Sequence, residues 1–338
     1  MLFRSHCIPM ALVLVCVFAT MNLARADTVR PGDFNVYSLS GIGSAQSQYG
    51  SDIQGVVGAA EDAYFAGFTL TGLKTVDGKV LFSGRSVLLN GGDFNGGIDV
   101  NDNVVLQSFS TGGDVISGGN VQATGGTISG SVRAAGSIDF FGASATGTVS
   151  PNTPHTSPIN YNAMNDYFRD TSAEIAGWSN TGSITDNWGG LSASVGSGMN
   201  VLSIDADTLK KAWGFTLTGP EDAVVYINVT GTDVTLDWLN WSFSGGIGAS
   251  DVLLNYNEAD AFALNMGGTT NILAPNANMT YSSGVWTGSI VAGYLEGGGQ
   301  VNLGGFDHYH PIPEPASISI LIWACFLLPK QSRRKRRP

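Results

Sequence analysis

The segment that decides the fold runs from residue 112 to residue 139 and reads GGDVISGGNVQATGGTISGSVRAAGSID. Glycine corners separate short segments, each with one central aliphatic residue between polar neighbours. This pattern is typical of a β-solenoid, in which each aliphatic side chain stacks on the next coil. A β-sandwich with tight hairpins is the alternative, because glycine-rich turns serve that fold too. The spacings of 6, 7, 4 and 6 argue against a strict hexapeptide repeat, and the central residues are Val115, Val121, Ile128, Val132 and Ile138.

The composition agrees with many short strands. Of 338 residues, 46 are glycine and only 13% are charged. The chain is too rich in aliphatic and aromatic residues for a disordered linker, and its glycines lack the period of collagen. The predicted class is all-β, with no clean boundary between residues 34 and 306. Because residues 297–303 repeat the pattern of the opening segment, we expect the second half to extend the same solenoid.

One flanking helix is predicted at about residues 161–176, ended by Gly177. Three prolines within residues 151–158 precede it and predict an exposed linker. The charged residues of the helix point away from one largely apolar face, so we expect that face to cover the β body. The residues of the packed face are Met164, Tyr167, Phe168, Thr171 and Ile175.

The N-terminus has the three parts of a secretory signal peptide. Arg4 precedes an apolar run at residues 7–19, and Ala24 and Ala26 supply the small residues that a signal peptidase reads. The prediction is a signal peptide at residues 1–26, which makes Asp27 the first mature residue. A retained membrane anchor is the alternative, although the run is shorter than the roughly 20 residues that a span needs.

The C-terminus has the parts of a sorting tail at residues 307–338. A polar motif, Pro313-Glu314-Pro315, is followed by an apolar segment at residues 316–328 and then by a basic end. Such a basic end is expected on the cytoplasmic side of a membrane. Thirteen apolar residues are few for a membrane span, which indicates a temporary attachment to the membrane. The cations of the end are Lys330, Arg333, Arg334, Lys335, Arg336 and Arg337.

These three parts closely resemble the PEP-CTERM tail. The resemblance implies recognition by an exosortase in the inner membrane of a Gram-negative bacterium, with processing near Pro313-Glu314-Pro315. The signal peptide is expected to send the body through the Sec translocon, and the apolar tail to halt it in a transient inner-membrane intermediate. By the resemblance, processing then leaves it on the cell surface or in the extracellular matrix.

Charge and cysteine content limit the function of the exported part. Residues 27–312 contain eight Lys and Arg against 26 Asp and Glu, a formal charge of −18. Such a surface repels nucleic acid, so no nucleic-acid partner is expected. The cysteines are Cys7, Cys16 and Cys325, all within the terminal apolar segments. The exported part therefore has no disulfide and no thiolate site.

Residues 33–306 resemble the choice-of-anchor A family of bacterial surface proteins. The resemblance is carried by the opening at residues 33–36, the small-residue segment 55–60, the helix at Tyr161, and the segments 273–277 and 288–293. It implies an adhesin with an ice-binding-like β-solenoid and a helix beside the coils. It brings no catalytic residues and no cofactor.

Several groups that could carry chemistry also have a structural interpretation. Asp205 and Asp207 are expected on one strand face, more as surface charge than as the carboxylate pair of a glycosidase. Asp99 and residues 101–103 suit calcium, although an oxygen-rich turn explains them equally well. His308 and His310 suit a metal, but a juxtamembrane linker is preferred. The sequence has no GxSxG motif, the turn that presents a nucleophilic serine in many hydrolases. Neither catalytic nor metal-binding residues are therefore assigned.

Four tryptophans offer an aromatic platform for sugars, although buried aromatics at the solenoid ends are the preferred interpretation. They are Trp213, Trp238, Trp241 and Trp286. Thr-x-Thr pairs at residues 69–71 and 216–218 are read as isolated. An ice-binding face needs such pairs stacked strand after strand, and the sequence does not show that array.

The functional expectation is an exported, non-enzymatic protein of adhesion or biofilm association, with an exopolysaccharide or surface glycan as its partner. The alternatives are a polysaccharide-active enzyme of β-helix type and an ice- or carbohydrate-binding module.

Overall fold

The computed structural model describes residues 29–306 and residue 308. The predicted signal peptide with Ala24 and Ala26, and the predicted tail from Pro313 onward, lie outside these residues. Within the described residues, no helix is both long and apolar enough to cross a membrane.

The described chain is mostly strand, as predicted for an all-β protein. The strands before the long helix are β1 (Phe34–Ser38), β2 (Asp52–Gln54), β3 (Val56–Ala59), β4 (Ala63–Thr71), β5 (Lys79–Ser83), β6 (Val87–Phe94), β7 (Gly97–Val100), β8 (Val104–Thr111), β9 (Val115–Ser117), β10 (Val121–Thr124), β11 (Thr127–Ile128), β12 (Val132–Ala134), β13 (Ile138–Phe141), β14 (Ser144–Ala145) and β15 (Val149–Ser150).

After these strands come helix α1 (Tyr161–Ala176) and the second half, which contains helix α2 (Ala206–Lys211). The strands of the second half are β16 (Thr185–Asn187), β17 (Gly190–Ser194), β18 (Gly198–Asp205), β19 (Gly214–Thr218), β20 (Ala223–Thr230), β21 (Asp233–Leu236), β22 (Asn240–Ser244), β23 (Val252–Asn255), β24 (Ala261–Leu264), β25 (Gly268–Thr269), β26 (Asn271–Tyr281), β27 (Val285–Thr287), β28 (Ile290–Gly297) and β29 (Gln300–Asn302).

Parallel pairing with a fixed sequence offset organises the chain from β6 to β15. Val104 of β8 pairs with Val121 of β10, which pairs with Ile138 of β13. Val115 of β9 pairs with Val132 of β12 in the same way. Each partner lies 17 residues further along the chain, the total of any three consecutive spacings in the opening segment. The uneven spacing is therefore a regular 17-residue repeat, in which residues 17 positions apart stack on each other.

Three sheets result, of 14, 11 and four strands in the described chain. Among the named strands, only β16 and β17 pair antiparallel. Parallel strands need a crossover connection and cannot form tight hairpins. This pairing excludes the hairpin-built β-sandwich that was the alternative fold.

The second half extends the sheets of the first half from the end at which the chain begins. Strand β1 pairs with β3 on one side and with β28 on the other. The chain therefore starts in the middle of the 14-stranded sheet and builds outward to β15. It then crosses back along helix α1 and builds inward from β18 to β28. The second half thus extends the same two large sheets, as expected, but on the β1 side and not beyond β15.

Helix α1 lies across the outer face of the 14-stranded sheet. The hydroxyl of Tyr37 in β1 donates to Asn165 Oδ1 at 2.9 Å, and Asn228 in β20 donates to the carbonyl of Ile175 at 2.9 Å. An α-helix rises about 1.5 Å per residue, so it can span several strands that lie about 4.8 Å apart. Met164, Phe168 and Ile175 are buried on the packed face. Tyr167 also packs there, whereas Thr171 is only half-buried.

Helix α2 corrects the strand interpretation of Asp205 and Asp207. Asp205 ends β18 and caps the helix, accepting from the Thr208 backbone N–H at 2.8 Å and from its hydroxyl at 2.7 Å. These hydrogen bonds hold the pKa of Asp205 below its usual value, because they favour the carboxylate. Asp207 lies in the first turn of the helix, so the two residues do not share a strand face. Ser, Thr, Asp and Asn are the usual residues at this capping position.

Asparagines at the corners join successive repeats. Asn103 Oδ1 accepts from the backbone N–H of Asn120 at 2.9 Å, and Asn120 Oδ1 accepts from that of Ser137 at 2.8 Å. The oxygen-rich turn at residues 101–103 therefore satisfies backbone donors. In the described part of the chain, no group of three or more His, Cys, Asp or Glu side chains is placed to hold a metal ion.

Candidate functional site

The candidate site is the outer face of the four-stranded sheet, built from β16, β17, β19 and β22. Side chains alternate between the two faces of a strand. Leu191, Phe215 and Leu217 are accordingly buried on the inner face. The outward positions are hydroxyl residues in two rows across the strands. The first row is Thr185, Ser192, Thr216 and Ser242, and the second row is Ser194, Thr218 and Ser244.

These rows change the interpretation of the Thr-x-Thr pair at residues 216–218. Ser-x-Ser lies on the neighbouring strand at each side, so the pair is the centre of a grid and is not isolated. The Thr218 and Ser244 hydroxyls are 2.8 Å apart and hydrogen-bonded. The pair at residues 69–71 differs, because Thr69 lies between Asp52 and Asp93.

Three tryptophans border the hydroxyl grid at the start of its strands. Trp188, Trp213 and Trp238 come one or two residues before strands whose first residues, Gly190, Gly214 and Asn240, are in register. Their side chains are 100%, 65% and 64% exposed. We call these three tryptophans and the two hydroxyl rows the hydroxyl–tryptophan face.

Backbone contacts hold part of the tryptophan row in place. Trp213 Nε1 donates to the carbonyl of Trp188 at 3.1 Å, and the backbone N–H of Trp213 donates to that of Gly189 at 2.9 Å. The Trp213 ring lies against Gly190, where a Cβ atom would come within 2.6 Å of Cζ2. Glycine at this position therefore lets an exposed indole lie flat on the backbone. A held ring loses little conformational entropy when it binds a ligand.

The preferred interpretation, that the four tryptophans are buried, is wrong for Trp213 and Trp238. It is confirmed for Trp286, which is fully buried and donates to the carbonyl of Thr270 at 2.7 Å. Trp241 is half-buried, and its ring stacks on Phe215 at a centroid distance of 4.8 Å. The sequence interpretation did not include Trp188, the most exposed of the row. The signal for it was the constant 25-residue spacing of positions 188, 213 and 238.

The hydroxyl–tryptophan face combines groups that suit a sugar chain. Indole rings offer large flat apolar surfaces, and the hydroxyls beside them donate and accept hydrogen bonds. Exposed aromatic side chains in a contiguous patch mark interaction sites on soluble proteins. No charged residue lies in the two hydroxyl rows, so the face suits a neutral partner.

The histidine pair is only partly described. His308 Nε2 lies 3.9 Å from Asp251 Oδ1, and its ring packs edge-on against Phe306. His310 lies outside the described residues, and the metal interpretation of the pair stays a prediction.

The comparison with protein families gives one finding that spans the described body. The model of the family described as "Putative Ice-binding-like adhesive domain" matches residues 30–303. A search of curated proteins finds no match to the chain.

Proposed function

The chain belongs to the ice-binding-like adhesive domain family, and from this we propose that it is an exported, non-enzymatic surface protein that binds a polysaccharide through the hydroxyl–tryptophan face. The observation that carries the proposal is the row formed by Trp188, Trp213 and Trp238 beside the hydroxyl grid. Membership in an adhesive family supports a role at the cell surface.

We further infer that the body is a β-solenoid. The 17-residue repeat from β6 to β15 supports it, because each repeat stacks on the next through parallel pairs. In such a body every coil presents its outward residues in line with those of its neighbours. Trp188 and Trp238 lie at equivalent positions, two residues before their strands, and Trp213 lies between them, one residue before its strand.

The geometry of the row fits an extended sugar chain. Neighbouring strands lie about 4.8 Å apart, so three strands place the outer tryptophans about 10 Å apart along the stacking direction. That distance is comparable to the length of a disaccharide unit. A neutral or weakly charged polysaccharide also avoids the repulsion that a body of charge −18 exerts on strong polyanions.

The double variant Trp188→Ala/Trp213→Ala is expected to bind the producer's exopolysaccharide roughly 10- to 100-fold more weakly. Truncating a central aromatic contact typically costs more than 1 kcal/mol, and every 1.4 kcal/mol is tenfold in affinity. The measurement is retention on immobilised polysaccharide and titration calorimetry with soluble fragments. The matched control is Leu73→Ala/Phe141→Ala, which removes two exposed apolar side chains outside the face.

Equal polysaccharide binding by the tryptophan variant and the control variant would contradict the proposed binding site. New reducing or unsaturated ends after incubation with the polysaccharide would favour an enzyme instead. The flat hydroxyl grid also favours a second candidate, ice binding. In that case Thr216→Val/Thr218→Val would remove thermal hysteresis, whereas the tryptophan variant would still inhibit ice growth.

Sorting through the tail forms the second part of the proposal, supported by the sequence pattern at Pro313-Glu314-Pro315 and by the basic end. Mass spectrometry of protein released from producing cells is expected to find Asp27 at the N-terminus and a C-terminus upstream of Pro338. The variant Glu314→Ala is expected to accumulate in the inner membrane, because the exosortase no longer recognises it. A surface protein with an intact C-terminus at Pro338 would contradict processing.

A further inference from the structure

A second polar site lies where residues 154–158 pass over the 14-stranded sheet. Phe82, Asp99, Ile116 and Arg133 face outward in one row, on β5, β7, β9 and β12. Helix α1 covers the neighbouring part of this face, where Phe82 is fully buried. Asp99 is therefore a carboxylate placed in an otherwise largely apolar row, at the edge of the helix-covered surface.

Asp99 contacts one histidine of the predicted linker. His155 Nε2 lies 3.1 Å from Asp99 Oδ1, and the side chains are only 8% and 6% exposed. The linker prediction was thus wrong about His155, which is buried against the sheet. The contact does not have hydrogen-bond geometry, and neither atom has a hydrogen-bond partner among the described residues. Buried polar atoms normally have such partners, and those without one require an explanation.

Asp99 and His155 line a cavity of about 360 Å³. That volume lies at the small end of the range for ligand pockets, roughly 300–1,000 Å³. Two of the eight Lys and Arg in residues 27–312, Lys79 and Arg133, line the cavity. Within residues 29–306 and 308, neither is ion-paired with a carboxylate.

Lys79 is fixed by a tight turn. The backbone groups of Val76 and Lys79 exchange two hydrogen bonds, of 3.0 and 2.9 Å. Between them Asp77 and Gly78 both have positive φ, at 49° and 74°. Such two-residue hairpins hold a well-defined geometry, and Asp-Gly is a preferred sequence for them. The lysine side chain therefore extends from a rigid turn at the wall of the cavity.

We propose that this cavity binds one carboxylated sugar, of the size and chemistry of a hexuronic acid. Arg133 and Lys79 pair with the carboxylate, for which the guanidinium offers two parallel donors. Asp99 accepts from ring hydroxyls, and the imidazole of His155 offers a further polar contact to them. Phe82 and Ile116 provide the apolar floor. The negative charge of the body weakens the approach of such a ligand only modestly, because salt screens charges beyond about 8 Å.

The test uses the full chain in a mild detergent and titration calorimetry with sodium glucuronate, glucose and acetate as probes. Glucuronate is expected to bind at least tenfold more tightly than either of the other two, since glucose lacks the carboxylate and acetate lacks the hydroxyls. The variant Arg133→Gln is expected to weaken glucuronate binding tenfold or more without changing the thermal midpoint. Lys79→Gln is expected to weaken it several-fold.

The matched control is Arg85→Gln, which removes an exposed cation that contacts Asp62 outside the cavity. It is expected to leave glucuronate binding unchanged, as is the double variant Trp188→Ala/Trp213→Ala. Loss of glucuronate binding in the tryptophan variant would overturn this second site and assign the ligand to the hydroxyl–tryptophan face. Equal binding of glucuronate and glucose, or an unaffected Arg133→Gln, would also overturn it.

Discussion

The variant Asn255→Asp is expected to lower the thermal midpoint of unfolding by about 10 °C, since it places an unpaired charge under helix α1. Asn255 Nδ2 donates to the carbonyl of Ser172 at 2.9 Å and to Asn228 Oδ1 at 2.8 Å. Asn255 Oδ1 accepts from the Ser172 hydroxyl at 2.6 Å. All three side chains are buried. This network fastens the end of the helix to the sheet.

Aspartate has nearly the same shape as asparagine, so the variant isolates the hydrogen-bond chemistry. The carboxylate places an oxygen against two acceptors, the Ser172 carbonyl and Asn228 Oδ1. An uncompensated buried charge costs about 3–5 kcal/mol. A loss of 1 kcal/mol shifts the midpoint of a domain of this size by about 2–4 °C. The loss of stability in Asn255→Asp is expected to diminish at acidic pH, where the protonated carboxyl group can donate one hydrogen bond.

The matched control is Asn276→Asp. Asn276 is exposed, and its amide donates to the carbonyl of Asn257 at 2.9 Å. Surface substitutions typically change stability by less than about 0.5 kcal/mol. Similar midpoints for the two variants would show that the network under the helix does not hold it in place.

Unfolding above pH 10 is expected to be steep, because burial raises the pKa of several tyrosines. Burial raises the pKa of Tyr37, Tyr49 and Tyr256 well above the usual value near 10. Below pH 10 these groups are neutral in both the folded and the unfolded chain, and their contribution is fully present. Above pH 10 the unfolded chain loses these protons while the folded chain keeps them. The free energy of unfolding then falls by about 1.4 kcal/mol per pH unit for each tyrosine.

Two phenylalanine variants separate titration from hydrogen bonding. The Tyr256 hydroxyl has no hydrogen-bond partner among the described residues, whereas the Tyr49 hydroxyl donates to the carbonyl of Gly299 at 2.5 Å. Tyr256→Phe is expected to keep the midpoint at pH 8 and to resist alkali better than the parent chain. Tyr49→Phe is expected to lose about 1 kcal/mol at pH 8, the typical net value of one hydrogen bond.

The measurement is denaturant unfolding from pH 8 to pH 12, with tyrosinate absorbance recorded in parallel. A parent chain whose free energy of unfolding is constant up to pH 12 would contradict the burial of these hydroxyls. Cysteine chemistry does not complicate the experiment in residues 29–306, which contain no cysteine.

The sequence by itself determined the local features of the fold. The glycine corners and single aliphatic residues at 112–139 indicated short strands, because side-chain alternation and turn chemistry depend on a few neighbouring residues. The helix at about residues 161–176 and its packed face followed from the 3.6-residue period. The structure places α1 at Tyr161–Ala176, with Phe168 fully buried. Predicting these features requires no information about contacts between residues far apart in the sequence.

Only the tertiary structure decided which strands are neighbours. The position of β1 between β3 and β28 joins residues more than 250 positions apart, and no local pattern encodes that contact. The same holds for His155, which a proline-rich segment marked as exposed and the sheet buries against Asp99. Burial depends on what lies above a side chain, which is a property of the assembled layers.

The hydroxyl–tryptophan face depended on both the sequence and the tertiary structure. The sequence contains the 25-residue spacing of Trp188, Trp213 and Trp238, but hydrophobicity alone favoured a buried position for the two of these that were interpreted. In the parallel register of β17, β19 and β22, Trp188 and Trp238 each lie two residues before the start of their strands, and Trp213 lies one residue before its own. The tertiary structure leaves all three exposed. The sequence thus supplied the side chains and their periodicity. The fold determined that they face solvent, because exposure results from the packing of distant segments.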